Sequence, residues 1–284
     1  KATALGNGQI AVGIGGKQPT LWTVNKLGLV DRMWKLEEEL QTAPVLLSAG
    51  IVLPYRGRIA IQRIQPGAAP VRDFRVAAGG EEPPRWRQLL ALDETRLVAV
   101  DSLGRMSGVR YVTTSVPELS QIRSIDFGQP IDVPVTLANG KLAVADAGRR
   151  LQIFNASNLE ASGEVPLDVA ATSAPWIIAD RLYVETGRTT LNCYRLALKG
   201  KPIWSIPLGG ASLSGAPLHI GEALIVATID GRVRLIDVAT GKILRTADAG
   251  QALVAGPRKV GSLHLIPTSD GSLYRLDSLL GSGA

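Results

Sequence analysis

The sequence predicts an all-β protein, a β-propeller of about seven four-stranded blades. Three observations predict it. Pro44, Pro134, Pro175, Pro217 and Pro257 each open the same phrase: a short apolar strand, a tight turn and a second apolar strand. Their spacings are 90, 41, 42 and 40 residues, and 90 is two units of 45. Leu89 opens a matching phrase inside the long gap, and Ala2 opens another 42 residues before Pro44. A period near 40 with four short strands per unit is the mark of a propeller. The second observation is punctuation: 31 Gly and 17 Pro suit many short strands joined by turns. The third is composition, 45% hydrophobic but only 5% aromatic, so the core is built mostly from Leu, Val, Ile and Ala. Units start near residues 2, 44, 89, 134, 175, 217 and 257. Residues 1–284 are expected to form a single propeller domain, because such repeats stack into one cooperative body.

Unit one has Gly15-Gly16 at a hairpin and Leu21–Val24 as its third strand. Gly13-Ile14-Gly15-Gly16 precedes no helical pattern, so it reads as that hairpin and not as a phosphate loop. Units two and three are longer and looser, with surface loops expected at Pro66–Pro70 and Glu81–Pro84. Unit four carries Pro134, an Asn139-Gly140 turn, and strands Leu142–Ala145 and Leu151–Phe154. Unit five carries Pro175, strands Leu182–Glu185 and Leu191–Leu196, and Gly200. Unit six is the clearest. Residues 218–220 form its first strand, Gly221-Glu222 turns the chain, and Ala223–Ile229 is continuously apolar, as in a strand buried on both faces. Asp230-Gly231 is a two-residue hairpin turn, Arg232–Ile236 the third strand, and Asp237–Gly241 the next turn. Unit seven repeats this register with Pro257, Gly261, Leu263–Pro267, Asp270-Gly271, Leu273–Leu276, Asp277 and Gly281. No fourth strand follows Gly281. Either Lys1–Leu5 supplies it and leaves unit one short, or the chain has been cut.

Composition narrows the function classes. No apolar run reaches the roughly 18 residues that a spanning helix needs, so no transmembrane segment is expected. Lys1 begins almost at the first strand, so a mature or excised domain without a leader is expected. Cys193 is the single cysteine, which excludes an internal disulfide, and it reads as a small buried hydrophobe. The net charge is +6, the isoelectric point about 9.6 and the mean hydropathy +0.15, with 22 Arg against 9 Lys. No compact Lys/Arg run is interleaved with aromatics, so dedicated nucleic-acid binding is not expected. A mild preference for acidic partners is.

Each conspicuous side chain has a bland reading beside a functional one. Asp230, Asp237, Asp270 and Asp277 suit Ca²⁺ ligation or general base work. They recur at the same place in successive units, though, which marks turn residues rather than a unique catalytic group. His219 and His264 occupy different positions in the repeat, with no further ligand at metal spacing, so no metal site is expected. Ser173, Ser212, Ser214 and Ser269 sit in no nucleophile elbow. Glu37-Glu38-Glu39 suits a contact patch but reads as a solvated outer strand or loop. Asn155-Ala156-Ser157 fits a glycosylation sequon but occupies the turn position of Asp237. Arg56, Arg58, Arg63, Arg72, Arg75, Arg85 and Arg87 make units two and three the most basic sector. Their loops also depart most from the repeat, and function in a repeat protein sits where regularity breaks. These seven arginines are the candidate binding surface.

After the third strand runs a phrase Asp-x-x-x-Gly-Lys, followed four residues past the glycine by a large residue. Unit six reads Asp237 through Gly241-Lys242 to Arg245. Unit five reads Leu196 through Gly200-Lys201 to Trp204, and unit one runs from Asn25 through Gly28 to Trp34. The phrase resembles the repeat of the PQQ-type (quinoprotein dehydrogenase-like) β-propellers, and the resemblance covers nearly the whole chain. It implies that the tryptophan docks onto the adjacent blade and that the glycine relieves the turn. Trp34 and Trp204 match that docking position, Trp86 matches it in unit two, and Val165 and Arg245 stand near it in units four and six.

The family holds two kinds of protein. One kind oxidises alcohols or sugars with pyrroloquinoline quinone. It has eight blades, longer chains, an adjacent-cysteine disulfide, a Ca²⁺ site and a catalytic Asp. The other kind has lost the cofactor and serves as an interaction scaffold. One cysteine and about seven blades place this chain with the scaffolds. The resemblance then implies no cofactor, no metal and no catalytic residue. It implies a periplasmic or cell-envelope location and a rigid disc that presents loops to a protein partner. Two alternatives stay open: a degenerate or partial PQQ-dependent oxidoreductase, and a carbohydrate-binding propeller. The second needs exposed aromatics, and most of the 13 present have core or docking roles.

Overall fold

The computed structural model describes residues 1–284 apart from Asn7, 77–81, Thr114 and 282–284. The described residues form seven successive antiparallel sheets, the blades of an all-β propeller, and one short helix. Blade 1 is β1 (Ala2–Gly6), β2 (Gln9–Ile14), β3 (Thr20–Val24) and β4 (Val30–Lys35). Blade 2 is β5 (Val45–Leu47), β6 (Gly50–Tyr55), β7 (Arg58–Gln62) and the two-residue β8 (Phe74–Arg75). Blade 3 is β9 (Trp86–Ala91), β10 (Arg96–Asp101), β11 (Arg105–Val112) and β12 (Glu118–Asp126). Blade 4 is β13 (Thr136–Ala138), β14 (Lys141–Ala145), β15 (Arg150–Asn155) and β16 (Ala161–Pro166). Blade 5 is β17 (Trp176–Ile178), β18 (Arg181–Thr186), β19 (Thr190–Arg195) and β20 (Trp204–Pro207). Blade 6 is β21 (Leu218–Ile220), β22 (Ala223–Ala227), β23 (Arg232–Asp237) and β24 (Ile243–Asp248). Blade 7 has β25 (Arg258–Val260), β26 (Leu263–Pro267) and β27 (Leu273–Arg275), then α1 (Leu276–Leu280). Each strand pairs with its chain neighbours, in an up-and-down order.

The continuous apolar second strands follow from how the blades stack. Side chains alternate between the faces of a strand, so a strand between two blades needs apolar residues at both parities. In β6, Ile51 and Leu53 pack with Ala11 and Leu21 of blade 1, whereas Val52 packs with Leu97 and Val109 of blade 3. In β22, Leu224 and Val226 pack with Tyr183 and Cys193 of blade 5, whereas Ile225 and Ala227 pack with Ile266 of blade 7. Fourth strands have one covered side at most, and β4, β12 and β24 are largely exposed.

The chain divides into two compact units. One is Lys1–Ile131 with Ala156–Leu159 and holds blades 1 to 3. The other is Asp132–Asn155 with Glu160–Ala284 and holds blades 4 to 7.

Several sequence expectations are corrected. Lys1–Leu5 does not complete blade 7, because β1 pairs with β2 from Ala2↔Val12 onward, and blade 7 has three strands among the described residues. The third strand of blade 7 ends at Arg275, and Leu276 enters α1 because Leu276 and Leu280 are both buried against blade 6. Asp277 is therefore a helix residue, not a turn residue. The apolar run after Ala223 leaves the ladder at Ala227, since Thr228 already accepts the hairpin bond from Gly231 N–H at 3.1 Å. Trp86 opens blade 3 rather than closing blade 2. Of the loop expected at 81–84, Glu81 lies outside the described residues.

Candidate functional site

The blades are joined by one recurrent position, the residue opposite the fourth residue of the third strand. In blade 5 the pair is Cys193↔Trp204. The Trp204 indole N–H donates to the Val238 carbonyl of blade 6 at 2.8 Å, and its ring lies over Gly241. Gly241 has φ of 73° and no Cβ; a Cβ there would stand 2.6 Å from Trp204 Cγ. In blade 6 the pair is Leu235↔Arg245, and Arg245 Nη1 donates to the carbonyls of Leu280 and Gly281 at 2.8 and 3.2 Å. In blade 4 the pair is Ile153↔Gly163, and a Cβ on Gly163 would stand 2.7 Å from the Ala197 carbonyl. In blade 1 the pair is Thr23↔Arg32, and Arg32 Nη1 donates to the Ile64 carbonyl of blade 2. Trp34 stands opposite Leu21, two residues further along β4, and packs with the core between blades 1 and 2.

The seven arginines of the basic sector are not equivalent. Arg58 is mostly covered, with 15% of its side chain exposed. It pairs with Glu37, with Glu38 at 3.7 Å and with Asp73 at 3.0 Å, and its Cζ lies 4.5 Å over the Tyr55 ring. Burial alone would lower the Arg58 pKa, but the hydrogen bonds to Glu37 and Asp73 raise it. The acidic run that reads as a solvated loop thus supplies the counter-charges of Arg58. Arg56 pairs with Glu82. Arg72 and Arg75 are 67% and 70% exposed, with Glu118 at 3.3 Å and Asp73 at 3.8 Å beside them. Arg85 and Arg87 are exposed. Arg75 stands opposite Arg58 across β8 and β7, and Trp86 Nε1 donates to the Arg58 carbonyl at 3.1 Å. These contacts draw Arg58, Arg75, Arg85 and Arg87 together where blades 2 and 3 meet. Arg63 lies at the far end of β7, roughly 17 Å from Arg58 at the usual strand rise.

The remaining candidates serve their local structure. Asp230 and Asp270 accept from the hydroxyls of Thr228 and Thr268 at 2.5 and 2.7 Å, and Asp237 accepts from Thr240 N–H at 2.8 Å. Asp277 faces His264 Nδ1 at 3.5 Å, a pairing that the repeat register hides. His219 lines a recess with Arg181, Glu222 and Asp237. Ser214 donates to the carbonyl of Ala255 at 3.0 Å. Among the described residues no cluster of three His, Cys, Asp or Glu has metal-holding geometry. No described helix is long and apolar enough to cross a membrane.

One surface was not visible as a motif. On one face of blade 1, Ala4, Ile10, Val24 and Val30 form a cross-strand row, and Ala2, Val12, Trp22 and Met33 form the next. Ile10, Val30 and Met33 are 41%, 50% and 62% exposed, and Leu27 and Leu29 in the adjoining turn are 74% and 61% exposed. Period-two apolarity at both parities of β2 and β3 was the available signal.

A family profile described as outer membrane protein assembly factor BamB matches residues 85–282. An outer membrane protein assembly factor BamB of Bordetella pertussis is 30% identical over 88 residues, which are 31% of this chain. The aligned stretch spans 23% of that relative's length. The crystal structure of BamB from Moraxella catarrhalis superposes with a TM-score of 0.68 at 16% identity, over 94% of this chain and 81% of that one. Sqt1 of Saccharomyces cerevisiae superposes with a TM-score of 0.71 at 10% identity, over 95% and 79%. At these identities the structural likeness shows the fold alone.

Proposed function

We propose that this chain, which belongs to the family of the outer membrane protein assembly factor BamB, is a non-catalytic scaffold that holds a protein partner during outer-membrane protein assembly. Its family supports a periplasmic or cell-envelope location. The observation that carries the scaffold reading is the apolar face of blade 1. Contiguous exposed apolar surface marks an interaction site, and here two cross-strand rows of one sheet face are apolar throughout. The exposed Arg72, Arg75, Arg85 and Arg87 supply a second, polar contact region, suited to an acidic partner surface.

The test is site-specific cross-linking in envelope-competent cells. A photo-reactive residue at position 33 should capture a component of the outer-membrane assembly apparatus, and one at the exposed Lys199 should not. Equal capture at both positions, or none at position 33, removes the reading. The oxidoreductase alternative has its own measurement. A saturable thermal shift with pyrroloquinoline quinone and Ca²⁺, accompanied by dye reduction, would replace the scaffold with an enzyme.

A further inference from the structure

We infer that Arg63 and its surroundings form a carboxylate-binding recess that accepts an acidic side chain of a protein segment. The inference rests on the scaffold reading and narrows it from a basic sector to one receptor residue. Gln62 Nε2 donates to the Arg63 carbonyl at 3.1 Å and fixes the backbone beside it. The Nε and Nη1 atoms of Arg63 are buried and have no hydrogen-bond partner among the described residues. Those two nitrogens carry three N–H donors. Buried N–H groups without an acceptor are costly, because their desolvation is not offset by a hydrogen bond. The other inward arginine of this sector, Arg58, shows the satisfied alternative with three carboxylates around it.

Arg63 lines two recesses. One of about 250 Å³ is bounded by residues 46–50 and 63–65 and offers Ser48 and Gln65 as polar neighbours. The other, of about 370 Å³, is bounded by Arg32, Trp34 and residues 62–68. Among the described residues no Asp or Glu lines either recess. Arg32 adds a second positive charge, and its guanidinium is anchored on the Ile64 carbonyl. Trp34, Ile64 and Pro66 give the larger recess apolar walls. A charged end with apolar sides fits a carboxylate carried on a short aliphatic stem better than a free inorganic anion. The unpartnered nitrogens are covered, so engagement needs the guanidinium to turn toward the recess. An incoming carboxylate offers the charge-assisted bonds that drive that turn.

The experiment uses three probes on the whole chain: a capped Ala-Glu-Ala peptide, its Ala-Gln-Ala counterpart, and inorganic phosphate. The readouts are the melting temperature and the part of tryptophan emission that disappears in Trp34→Phe. The glutamate peptide should raise the melting temperature and change Trp34 emission saturably, and the glutamine peptide should do neither. Arg63→Met should abolish the response. It should also raise the melting temperature without ligand by about 2–4 °C, because it removes two buried nitrogens that have no acceptor. Arg63→Lys should keep a weaker response. The recess is overturned if the glutamate and glutamine peptides act alike, if phosphate matches the glutamate peptide, or if Arg63→Met lowers the melting temperature. Those outcomes leave cross-linking at position 33 unaffected, so failure of the recess and failure of the scaffold are distinguishable.

Discussion

Substituting Gly241 by alanine tests whether a tryptophan seated on a glycine holds blade 5 to blade 6. Two penalties apply at this site. Positive φ costs an L-residue about 1–2 kcal/mol, and Gly241 has φ of 73°. The new methyl would also stand 2.6, 2.7 and 2.9 Å from Trp204 Cγ, Cδ2 and Cβ. Trp204 must then leave its seat, with overpacking of about 1–3 kcal/mol and loss of the bond to Val238 worth about 1 kcal/mol. Gly221 is the internal control: its φ is 57°, and a Cβ there meets nothing within 4 Å. Gly221→Ala therefore carries only the backbone term, about 1–2 kcal/mol. Gly241→Ala should cost about 2–4 kcal/mol more than Gly221→Ala in urea unfolding followed by tryptophan fluorescence and circular dichroism. In a Trp204→Ala background the excess should largely disappear, because of the three close contacts only the one to Cβ, at 2.9 Å, remains. Equal costs for the two glycines in the parent protein would refute the docking argument.

Four further outcomes are expected. Arg58→Met should destabilise by about 2–3 kcal/mol in the same unfolding assay, because Glu37, Glu38 and Asp73 lose their shared cation. Acid should weaken the fold in a defined window. Desolvation opposes ionisation of Asp93, but hydrogen bonds from Thr95 and Arg96 outweigh it and hold the pKa at about 2, and hydrogen bonds from Thr268 and Ser272 hold Asp270 at about 2. Because both values are depressed below the roughly 3.9 of an unfolded aspartate, their stabilisation is complete above pH ~4 and is lost as pH falls toward 2. Asp93→Asn should flatten the fall of melting temperature between those limits. The Cys193 thiol, fully buried and pushed up to about 12 by desolvation, should resist a thiol reagent at pH 8 and react only at the rate of unfolding. Arg245→Ala should free the Leu280 and Gly281 carbonyls and speed amide exchange in α1 relative to β22.

The blade register was legible because burial on both faces turns second strands into uninterrupted apolar runs bounded by turn residues, as in Leu142–Ala145 and Ala223–Ala227. The end of blade 7 was not. Leu276 and Leu280 are one helical turn apart, and a single turn has too few residues to separate helix from strand by periodicity. The destination of Arg58 was hidden for a different reason: its carboxylates come from residues 37, 38 and 73, on segments that only tertiary folding brings together. At the docking position the spacing holds and the residue type misleads. Counting four residues past the glycine leads from Gly200 to Trp204, from Gly241 to Arg245 and from Gly28 to Arg32, whereas Trp34 lies six past Gly28 and stands opposite Leu21. Once the seat is read from the ladder, its occupants make chemical sense together. Trp204 and Arg32 each aim an N–H at a carbonyl in the turn after the next blade's third strand, and Arg245 aims one at the carbonyls that end α1, the segment that follows the third strand of blade 7. Gly163 instead lets the corresponding turn approach until no side chain fits. The requirement at this joint is therefore a satisfied turn carbonyl or close backbone contact, not an aromatic ring. A search for tryptophan alone finds one of these four joints.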